Sequence, residues 1–328
     1  MRFRLQKKIY IILTFFFGWI FLFIHKKRKQ FKSKPNPIKT FYNAECRIKK
    51  IQDREKAFVR QEGRSVFLSH GEKTEYCLIL LHGYTNSPWQ FNKLGRQFFE
   101  HGNNVLIPRM PYHGLPDILT KEHAKLSVSA MINYADSVID IGQAFGNKII
   151  LVGISAGGII AGWCALQRIE VHQSVLIAPV FGFGGFPQIL MKPLMYMLLT
   201  LPNFFRWWDS EKKADSWSLQ HVYPRYSTRA VANLLSIGFE VKRLLKRRNT
   251  STANVTVITN ANDETVSNKS IYSITRLWRK KKPGGVRTYE FSVVLGLDHD
   301  IIDPEHENEQ TGLVYPVILD LVSADNIK

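Results

Sequence analysis

The sequence predicts an α/β fold in which a mostly parallel β-sheet is covered by helices on both faces. Short apolar segments rich in β-branched residues, such as "KIILVG" at 148–153 and "NVTVITN" at 254–260, have the composition of buried strands. Segments with helical spacing of apolar residues lie between them, and this alternation is typical of parallel sheets. A stretch of about 75 residues separates the strands at 174–178 and 254–259, which indicates an inserted helical cap.

The N-terminal residues 9–24 form an apolar run without charge or proline. In a helix this run extends about 24 Å, and flanking lysines can snorkel to cover the rest of the ~30 Å hydrocarbon core. A cleaved signal peptide is the alternative, but the run ends in "HKKRKQFKSK" and lacks a small-residue cleavage site. We therefore predict a single-pass transmembrane helix at 1–25 that anchors the protein.

Most of the positive charge lies beside this run. Residues 1–60 contain 17 of the 45 Lys and Arg but only 3 of the 27 acidic residues, which gives +14 of the total +18. This partition favours a membrane flank over a nucleic-acid-binding domain. The flank that follows the run is the more basic, which predicts a cytoplasmic catalytic domain. Three cysteines cannot all pair, and this agrees with a reducing compartment.

The remaining chain divides into a basic juxtamembrane linker at 26–60 and a catalytic domain at 61–328, with the cap at about 181–250. Predicted strands and helices alternate along the domain. The strands are expected at 65–70, 75–83, 103–110, 148–153, 174–179, 254–260 and 286–294. The helices are expected at 87–102, 124–145, 155–168, 228–247, 268–281 and 312–323.

The stretch "LVGISAGGII" places Ser155 between a strand and a helix, with Gly153 and Gly157 two residues away on either side. A dinucleotide-binding loop requires G-x-G-x-x-G, and a side chain occupies the position that must be a glycine. The pattern matches G-x-S-x-G, in which glycines make room for a nucleophile on a sharp turn. An ordinary glycine-rich turn is the alternative. We interpret Ser155 as a nucleophile at the carboxyl end of its strand.

A serine nucleophile needs hydrogen-bond donors for the oxyanion that develops during acyl transfer. One donor is the backbone N–H of Ala156 at the start of the helix. The loop in "LILLHGYTNSP" follows an earlier strand and offers the N–H of Tyr84 as the second. Alone, the His-Gly pair in this loop would indicate only a turn at the end of a strand.

A general base and an acid are expected after the last strands. His299 follows the strand near 286–294, and Asp263 follows the preceding strand. Glu264 is the alternative acid, whereas Asp298 is too close to His299 in sequence to orient its ring. The order Ser155, Asp263, His299 is the one that this kind of sheet requires. Three other histidines are interpreted as unsuitable for the base. His306 lies in a solvated acidic stretch, and His172 and His221 lie at the wrong positions in the chain.

The stretches "LLHGYTNSP", "VLIPRMPYHGLPD", "GISAGG", "NDETV" and "LDHDII" resemble the α/β-hydrolase superfamily, in particular its bacterial carboxylesterase and monoacylglycerol-lipase-like branch. The resemblance covers about residues 65–325 and implies catalytic roles for Ser155, Asp263 and His299. It also implies an oxyanion hole at Tyr84 and Ala156. Two departures are expected to matter locally. Tyr112 replaces a customary glycine and would narrow the cleft beside a structural His113, and Asn260 replaces a glycine before the acid.

The cap contains "FPQILMKPLMYMLLTLPNFFRWW", which is too apolar for a solvated loop. Two interpretations stay open: a cap that packs only against itself, or a roof over Ser155 that lines an acyl pocket. In the second, glycines at 182, 184 and 185 act as hinges.

These observations predict a membrane-anchored serine ester hydrolase that acts on apolar or lipid-like esters. An acyltransferase with the same triad and a catalytically silent membrane-tethered binding protein are the alternatives. The expected partners are a small-molecule or lipid-like ester and the lipid bilayer. The sequence contains no motif for a metal ion, a cofactor or nucleic acid.

Overall fold

The structure is a computed structural model that describes residues 31–208, 221–247 and 253–322. The chain divides into two units, Met1–Lys32 and Ser33–Lys328, and the sheet and helices belong to the second. The transmembrane helix predicted at 1–25 lies outside the described residues. Within the described residues, no helix combines the length and apolar character needed to cross a membrane.

A seven-stranded sheet organises the second unit, in the order β1-β3-β2-β4-β5-β8-β9. Only β1 is antiparallel to its neighbour. The predicted mostly parallel α/β sheet is therefore confirmed. The strands are β1 Val66–Leu68, β2 Thr74–Leu81, β3 Asn104–Ile107, β4 Gly146–Ile154, β5 Val171–Ile177, β8 Asn254–Asn260 and β9 Val286–Phe291.

Helices alternate with these strands. They are α1 Phe41–Lys56, α2 Asn92–Glu100, α3 Val128–Gly142, α4 Ala156–Gln167, α7 Asn268–Lys281 and α8 Thr311–Val322, with α5 and α6 in the cap. Serines fix the starts of α3 and α7, because the hydroxyls of Ser127 and Ser267 accept backbone N–H groups in the first turn.

The core consists of apolar side chains on both faces of the central strands, which explains why these strands are apolar at nearly every position. Leu78, Leu80 and Val152 on one face pack in a cluster with residues of α2 and α8. Ile79 points to the other face, where a Cβ added at Gly142 of α3 would lie 2.8 Å from it. Burial of both faces fixes the register of the strands, and hence the loops at their carboxyl ends.

The segment 26–60 is predicted as a linker, but its described part contains a helix that packs on the folded unit. Residues 41–56 form α1, which is capped by the Thr40 hydroxyl and buries Ala44 and Ile48. Glu55 is buried and pairs with Arg109 at 2.9 Å. Only two apolar residues of α1 are buried, so the sequence shows little apolar periodicity. A partner distant in sequence is what makes this polar helix part of the folded unit.

Residues just before α1 are fixed to α3 as well. The Ser33 hydroxyl and the Lys34 N–H donate to Asp136 at 2.6 and 2.7 Å, and the Asn36 N–H donates to Asp140 at 2.8 Å. The same two carboxylates bind the fully buried guanidinium of Arg168 at 2.9 and 2.5 Å. The folded unit therefore begins near Ser33 rather than at residue 61.

The cap lies between β5 and β8, as the long insertion predicts. Its described elements are α5 Met191–Thr200, β6 Phe205–Trp207, β7 Arg225–Ser227 and α6 Thr228–Leu245. Strands β6 and β7 form an antiparallel pair, and α5 packs against α6. Helix α6 also packs against α4, which directly follows Ser155, so the cap lies beside the carboxyl ends of the central strands.

Candidate active site

Ser155 occupies a sharp turn between β4 and α4. Its backbone has φ 53° and ψ −108°, a strained conformation for a residue with a side chain. The Ser155 N–H donates to the carbonyl of Ile177 at 2.8 Å, which fixes the turn to β5. A Cβ at Gly157 would lie 1.9 Å from the Leu81 carbonyl oxygen, and one at Gly153 would lie 2.3 Å from Gly157. Both flanking glycines are therefore required by the close approach of backbone, as the sequence predicts.

His299 and Asp263 come together from the loops after β9 and β8. The Nδ1–H of His299 donates to Oδ2 of Asp263 at 2.7 Å. The other carboxylate oxygen accepts the N–H groups of Thr265 and Val266 at 2.9 and 3.0 Å. The Asp263 side chain is fully buried, whereas that of His299 is 20% exposed. This arrangement fixes the tautomer of His299 and leaves its Nε2 as the atom able to take a proton.

The alternative acids of the sequence analysis lie elsewhere. Glu264 is exposed at the surface of its loop. Asp298 accepts a hydrogen bond from the Asn308 amide at 2.8 Å and lies 3.6 Å from His306. Asp263 is therefore the carboxylate that orients His299.

The charge state of His299 reflects two opposed effects. Burial disfavours the imidazolium, but the Asp263 carboxylate and its hydrogen bond favour it, as does the charge of Asp300. The favourable contacts prevail, and the pKa of His299 lies above its ordinary value. A base with this property can accept a proton from Ser155 and keep it while the reaction proceeds.

Ser155 and His299 line one cavity of about 680 Å³. This volume lies in the range of small-molecule sites. The oxyanion loop, which we define as residues 82–87, contributes Tyr84 and Asn86 to the wall. The cap contributes most of the apolar side chains that line the cavity, among them Phe183, Phe186, Leu194, Leu198, Phe204, Val231 and Leu234.

The two predicted oxyanion donors are the backbone N–H groups of Ala156 and Tyr84. Ala156 is the first residue of α4, so its N–H has no partner within the helix. Among hydrogen bonds of the described residues, the backbone N–H groups of Ala156 and Tyr84 have no acceptor. Both lie next to residues that line the cavity with Ser155. Their role as donors to an oxyanion stays a prediction.

His82 fixes the oxyanion loop from the core side. Its Nδ1–H donates to the Gly83 carbonyl at 2.8 Å, and its Nε2 accepts the Met110 N–H at 3.0 Å. Burial lowers the pKa of His82 to about 4, so the ring is neutral. His82 thus fixes the peptide unit between Gly83 and Tyr84, which carries the Tyr84 N–H.

The two departures from the family pattern have different outcomes. Asn260 is buried, and its amide donates to the carbonyls of Leu297 and Asp298 at 2.6 and 2.9 Å. It therefore joins the Asp263 loop to the residues just before His299, a role that the sequence analysis missed. Tyr112 has φ 68°, where a glycine would be unstrained, but it does not line the cavity. His113 is buried against Tyr84 and Tyr223, which agrees with a structural role.

The cap is bound directly to the oxyanion loop. The Tyr223 N–H donates to the Thr85 carbonyl at 2.7 Å, and the Trp208 indole donates to the Thr85 hydroxyl at 2.8 Å. The Ser227 N–H donates to the Tyr84 hydroxyl at 3.2 Å. These bonds make the described part of the cap a fixed wall of the site.

The predicted hinge glycines mostly serve close packing. A Cβ at Gly182 would lie 2.6 Å from the Ser270 hydroxyl, and one at Gly184 would lie 1.8 Å from the Glu264 carbonyl. Only Gly185, at φ 66°, has the left-handed backbone of a turn with open space around it. Gly182 thus lets the start of the cap pack against α7, and Gly184 lets it pack against the Asp263 loop. Sequence reasoning could not show these contacts.

Two other expectations are corrected or refined. His306 lines the cavity although the sequence suggested a solvated position. Within α5, Leu194 and Leu198 line the cavity, whereas Met195 is buried inside the cap against Ser236. One face of α5 therefore lines the cavity, as a roof over Ser155 would, and another face packs inside the cap. Among the described residues, no group of three or more His, Cys, Asp or Glu side chains could hold a metal ion.

Comparison with known proteins extends these observations. The model of the "Alpha/beta hydrolase family" matches residues 78–308. The fold is similar to that of a monoacylglycerol lipase from Paleococcus ferrophilus, at 18% identity over 79% of this chain and 97% of that one, with a TM-score of 0.59.

It is also similar to a soluble variant of monoglyceride lipase from Saccharomyces cerevisiae, in complex with a substrate analogue (14% identity, 79% and 89% coverage, TM-score 0.58). A third similar structure is Est1E from Butyrivibrio proteoclasticus with bound ferulic acid (17%, 79% and 93%, TM-score 0.51). A comparison with curated protein sequences gives no significant match.

Proposed function

Since this chain belongs to the alpha/beta hydrolase family, we propose that it is a serine hydrolase that cleaves carboxylic esters through an acyl-enzyme. The observation that carries the proposal is the 2.7 Å hydrogen bond from His299 to the buried Asp263, on a loop that shares one cavity with Ser155. Asp263 is held by the His299 ring and by two backbone N–H groups, and His299 keeps one nitrogen available. These are the properties of a base that activates a serine.

In the first half of the reaction, the Ser155 hydroxyl attacks the ester carbonyl while His299 Nε2 takes its proton. The resulting imidazolium is stabilised by Asp263, and the oxyanion accepts hydrogen bonds from the N–H groups of Tyr84 and Ala156. The tetrahedral intermediate then expels the alcohol, which leaves with the proton from His299. Ser155 remains as an acyl ester.

In the second half, a water molecule gives its proton to His299 and attacks the acyl carbonyl. The second tetrahedral intermediate collapses to the free acid, and the Ser155 oxygen recovers its proton from His299. The same backbone donors serve both intermediates, since the oxyanion forms at the same place.

The apolar wall of the cavity supports an apolar acyl or lipid-like substrate. Leu194, Leu198, Phe183 and Phe186 present hydrocarbon to the space above Ser155. Two proteins of similar fold have names that point to monoacylglycerol cleavage, and a third holds ferulic acid. An ester with a hydrocarbon or aromatic acyl group is the substrate class that this wall suits.

We propose further that residues 9–24 anchor the enzyme in a bilayer with its catalytic domain on the cytoplasmic side. The apolar run and the basic flank after it support this placement. Fractionation tests the anchor directly. The full chain should sediment with membranes and resist extraction by carbonate, and a chain beginning at Ser33 should not. A full-length chain that is extracted by carbonate would contradict the anchor but not the enzymatic proposal.

Labelling with a fluorophosphonate probe tests the enzymatic proposal without knowledge of the substrate. The wild-type protein should be labelled, and Ser155→Ala should not. His299→Ala should be labelled far more slowly, since its serine lacks a base. Circular dichroism should show that the variants remain folded. A folded wild-type protein that fails to react would instead support the silent binding protein.

A further inference from the structure

A buried polar network connects three distant segments beside the candidate active site. Gln90 lies at its centre, in the 3₁₀ turn Pro88–Phe91, and is only 2% exposed. Its Oε1 accepts the Gly83 N–H at 2.8 Å, and its Nε2 donates to Oδ1 of Asp300 at 2.6 Å. One side chain thus bonds both the oxyanion loop and the residue next to His299.

The far side of Asp300 is fixed as well. Its Oδ2 accepts the amide of Asn86 at 3.0 Å, and the same amide lies 3.3 Å from Asp303. Asp303 is 1% exposed and bonds His221 of the cap at 2.7 Å. Asp300 is therefore held from the oxyanion loop, from the 3₁₀ turn and, through Asp303, from the cap.

The positions of the two bonded groups give this network a mechanistic meaning. Gly83 directly precedes Tyr84, whose N–H is a proposed oxyanion donor, and Asp300 directly follows His299. In the proposed reaction, proton transfer and oxyanion stabilisation occur around one carbonyl group. The distance between the donor and the base must then stay fixed to a fraction of an ångström.

We propose that Gln90 and Asp300 form a positioning pair that holds the oxyanion loop at a fixed distance from the loop of His299. This inference rests on the proposed function and deepens it. Neither residue is assigned a chemical step. The pair acts on the transition state, because the oxyanion exists only there.

The electrostatics of Asp300 agree with this arrangement. Burial raises the pKa of Asp300 to about 6, and the charge of Asp303 contributes in the same direction. The hydrogen bond from Gln90 and the charges of His299 and His306 oppose the increase. A neutral amide at position 90 therefore favours an ionised acceptor next to His299.

Substitution of Gln90 separates positioning from ordinary packing. Gln90→Met keeps the length of the side chain and removes both hydrogen bonds. We expect kcat to fall by about 10- to 100-fold with KM changed by less than about threefold, because loss of a whole oxyanion donor costs about 10²–10³-fold. Trp89→Phe is the matched control, since it removes a 2.6 Å hydrogen bond to Glu305 from the same turn without touching Gly83 or Asp300. We expect it to keep kcat within about twofold.

Gln90→Glu gives a second readout that a purely structural role would not produce. With one proton shared between the two carboxyl groups, Glu at position 90 can accept from Gly83 and donate to Asp300, as the amide does. Without that proton the two charges repel. Both Gln90→Glu and Gln90→Met lack the amide bond to Asp300, and only the glutamate can regain a bond on protonation. The kcat of Gln90→Glu relative to Gln90→Met should therefore rise as the pH is lowered from 8 to 5.5.

The proposal is overturned if Gln90→Met keeps wild-type kcat, if its loss lies in KM alone, or if Trp89→Phe loses as much. A flat ratio of Gln90→Glu to Gln90→Met would overturn it too. Should Gln90→Met fail to fold, wild-type kcat of Gln90→Glu at pH 8 would overturn it. Failure of the proposed function is distinguishable, because the wild-type protein would then neither hydrolyse esters nor react with fluorophosphonate.

Discussion

The preference for acyl length is a direct consequence of the cavity wall. Leu194 and Leu198 of α5 line the cavity that contains Ser155. Each methylene that a substrate buries there contributes up to ~0.8 kcal/mol. That free energy corresponds to an increase in kcat/KM of at most about fourfold per methylene until the pocket is filled. The cavity of about 680 Å³ leaves room for this series beyond an acetyl group.

A double substitution, Leu194→Asn with Leu198→Asn, tests this role of the cavity wall. It should flatten the dependence of kcat/KM on acyl length and leave acetyl esters within about threefold of wild type, because the triad lies outside the cap. The assay is hydrolysis of 4-nitrophenyl esters from acetate to decanoate. Met195→Asn is the control within the same helix: Met195 is 4% exposed in the interior of the cap. This change should lower the melting temperature and depress all esters alike.

Two results would contradict an acyl pocket lined by α5. A wild-type profile that peaks at acetate would show that the apolar wall does not hold the acyl group. A double variant with the wild-type slope would show that the chain lies elsewhere in the cavity. If Met195→Asn flattens the slope as the double variant does, the two faces of α5 are not distinct in function.

Three further predictions concern the acid, the base and the N-terminal boundary of the folded unit. Asp263→Asn should lower kcat by about 10⁴-fold, since it destabilises the required tautomer, and Glu264→Gln should change it less than about twofold; the reverse ranking in ester hydrolysis would contradict the assignment. Asp263 raises the pKa of His299. In a pH profile, kcat/KM should therefore fall as the pH drops through a pKa above that of an ordinary histidine. An acidic pKa at or below the ordinary value would be inconsistent with the observed pair. A chain beginning at Ser33 should keep its activity and melting temperature. One beginning at Phe41 loses four hydrogen bonds to Asp136 and Asp140 and should melt several degrees lower; equal melting temperatures would show that this arm contributes nothing.

The sequence predicted those parts of the site that depend on local backbone constraints. The elbow at Ser155 follows from two glycines and the junction of strand and helix. Asp263 and His299 could be placed because parallel strands bring their carboxyl ends to one edge of the sheet. Local pattern and chain order were sufficient for these residues.

The remaining features depend on contacts between residues distant in sequence. Gln90 lies in an apolar turn and gives no local sign that its amide joins Gly83 to Asp300. Asn260 looked like a defect in a turn, yet it bonds the carbonyls before His299. The sequence of helix α1 shows little apolar periodicity and therefore predicted a linker. The helix is part of the folded unit because it contacts distant residues such as Arg109. Polar side chains carry no periodicity that would reveal such partners.

In the proposed mechanism, Ser155 carries the acyl group during turnover. Rapid acid quench of the wild-type protein with a 4-nitrophenyl ester, followed by peptide mass spectrometry, measures this directly. We predict an acyl adduct on the peptide that contains Ser155, at that residue alone, and none in Ser155→Ala. An adduct on a different residue, or undiminished turnover by Ser155→Ala, would contradict this mechanism.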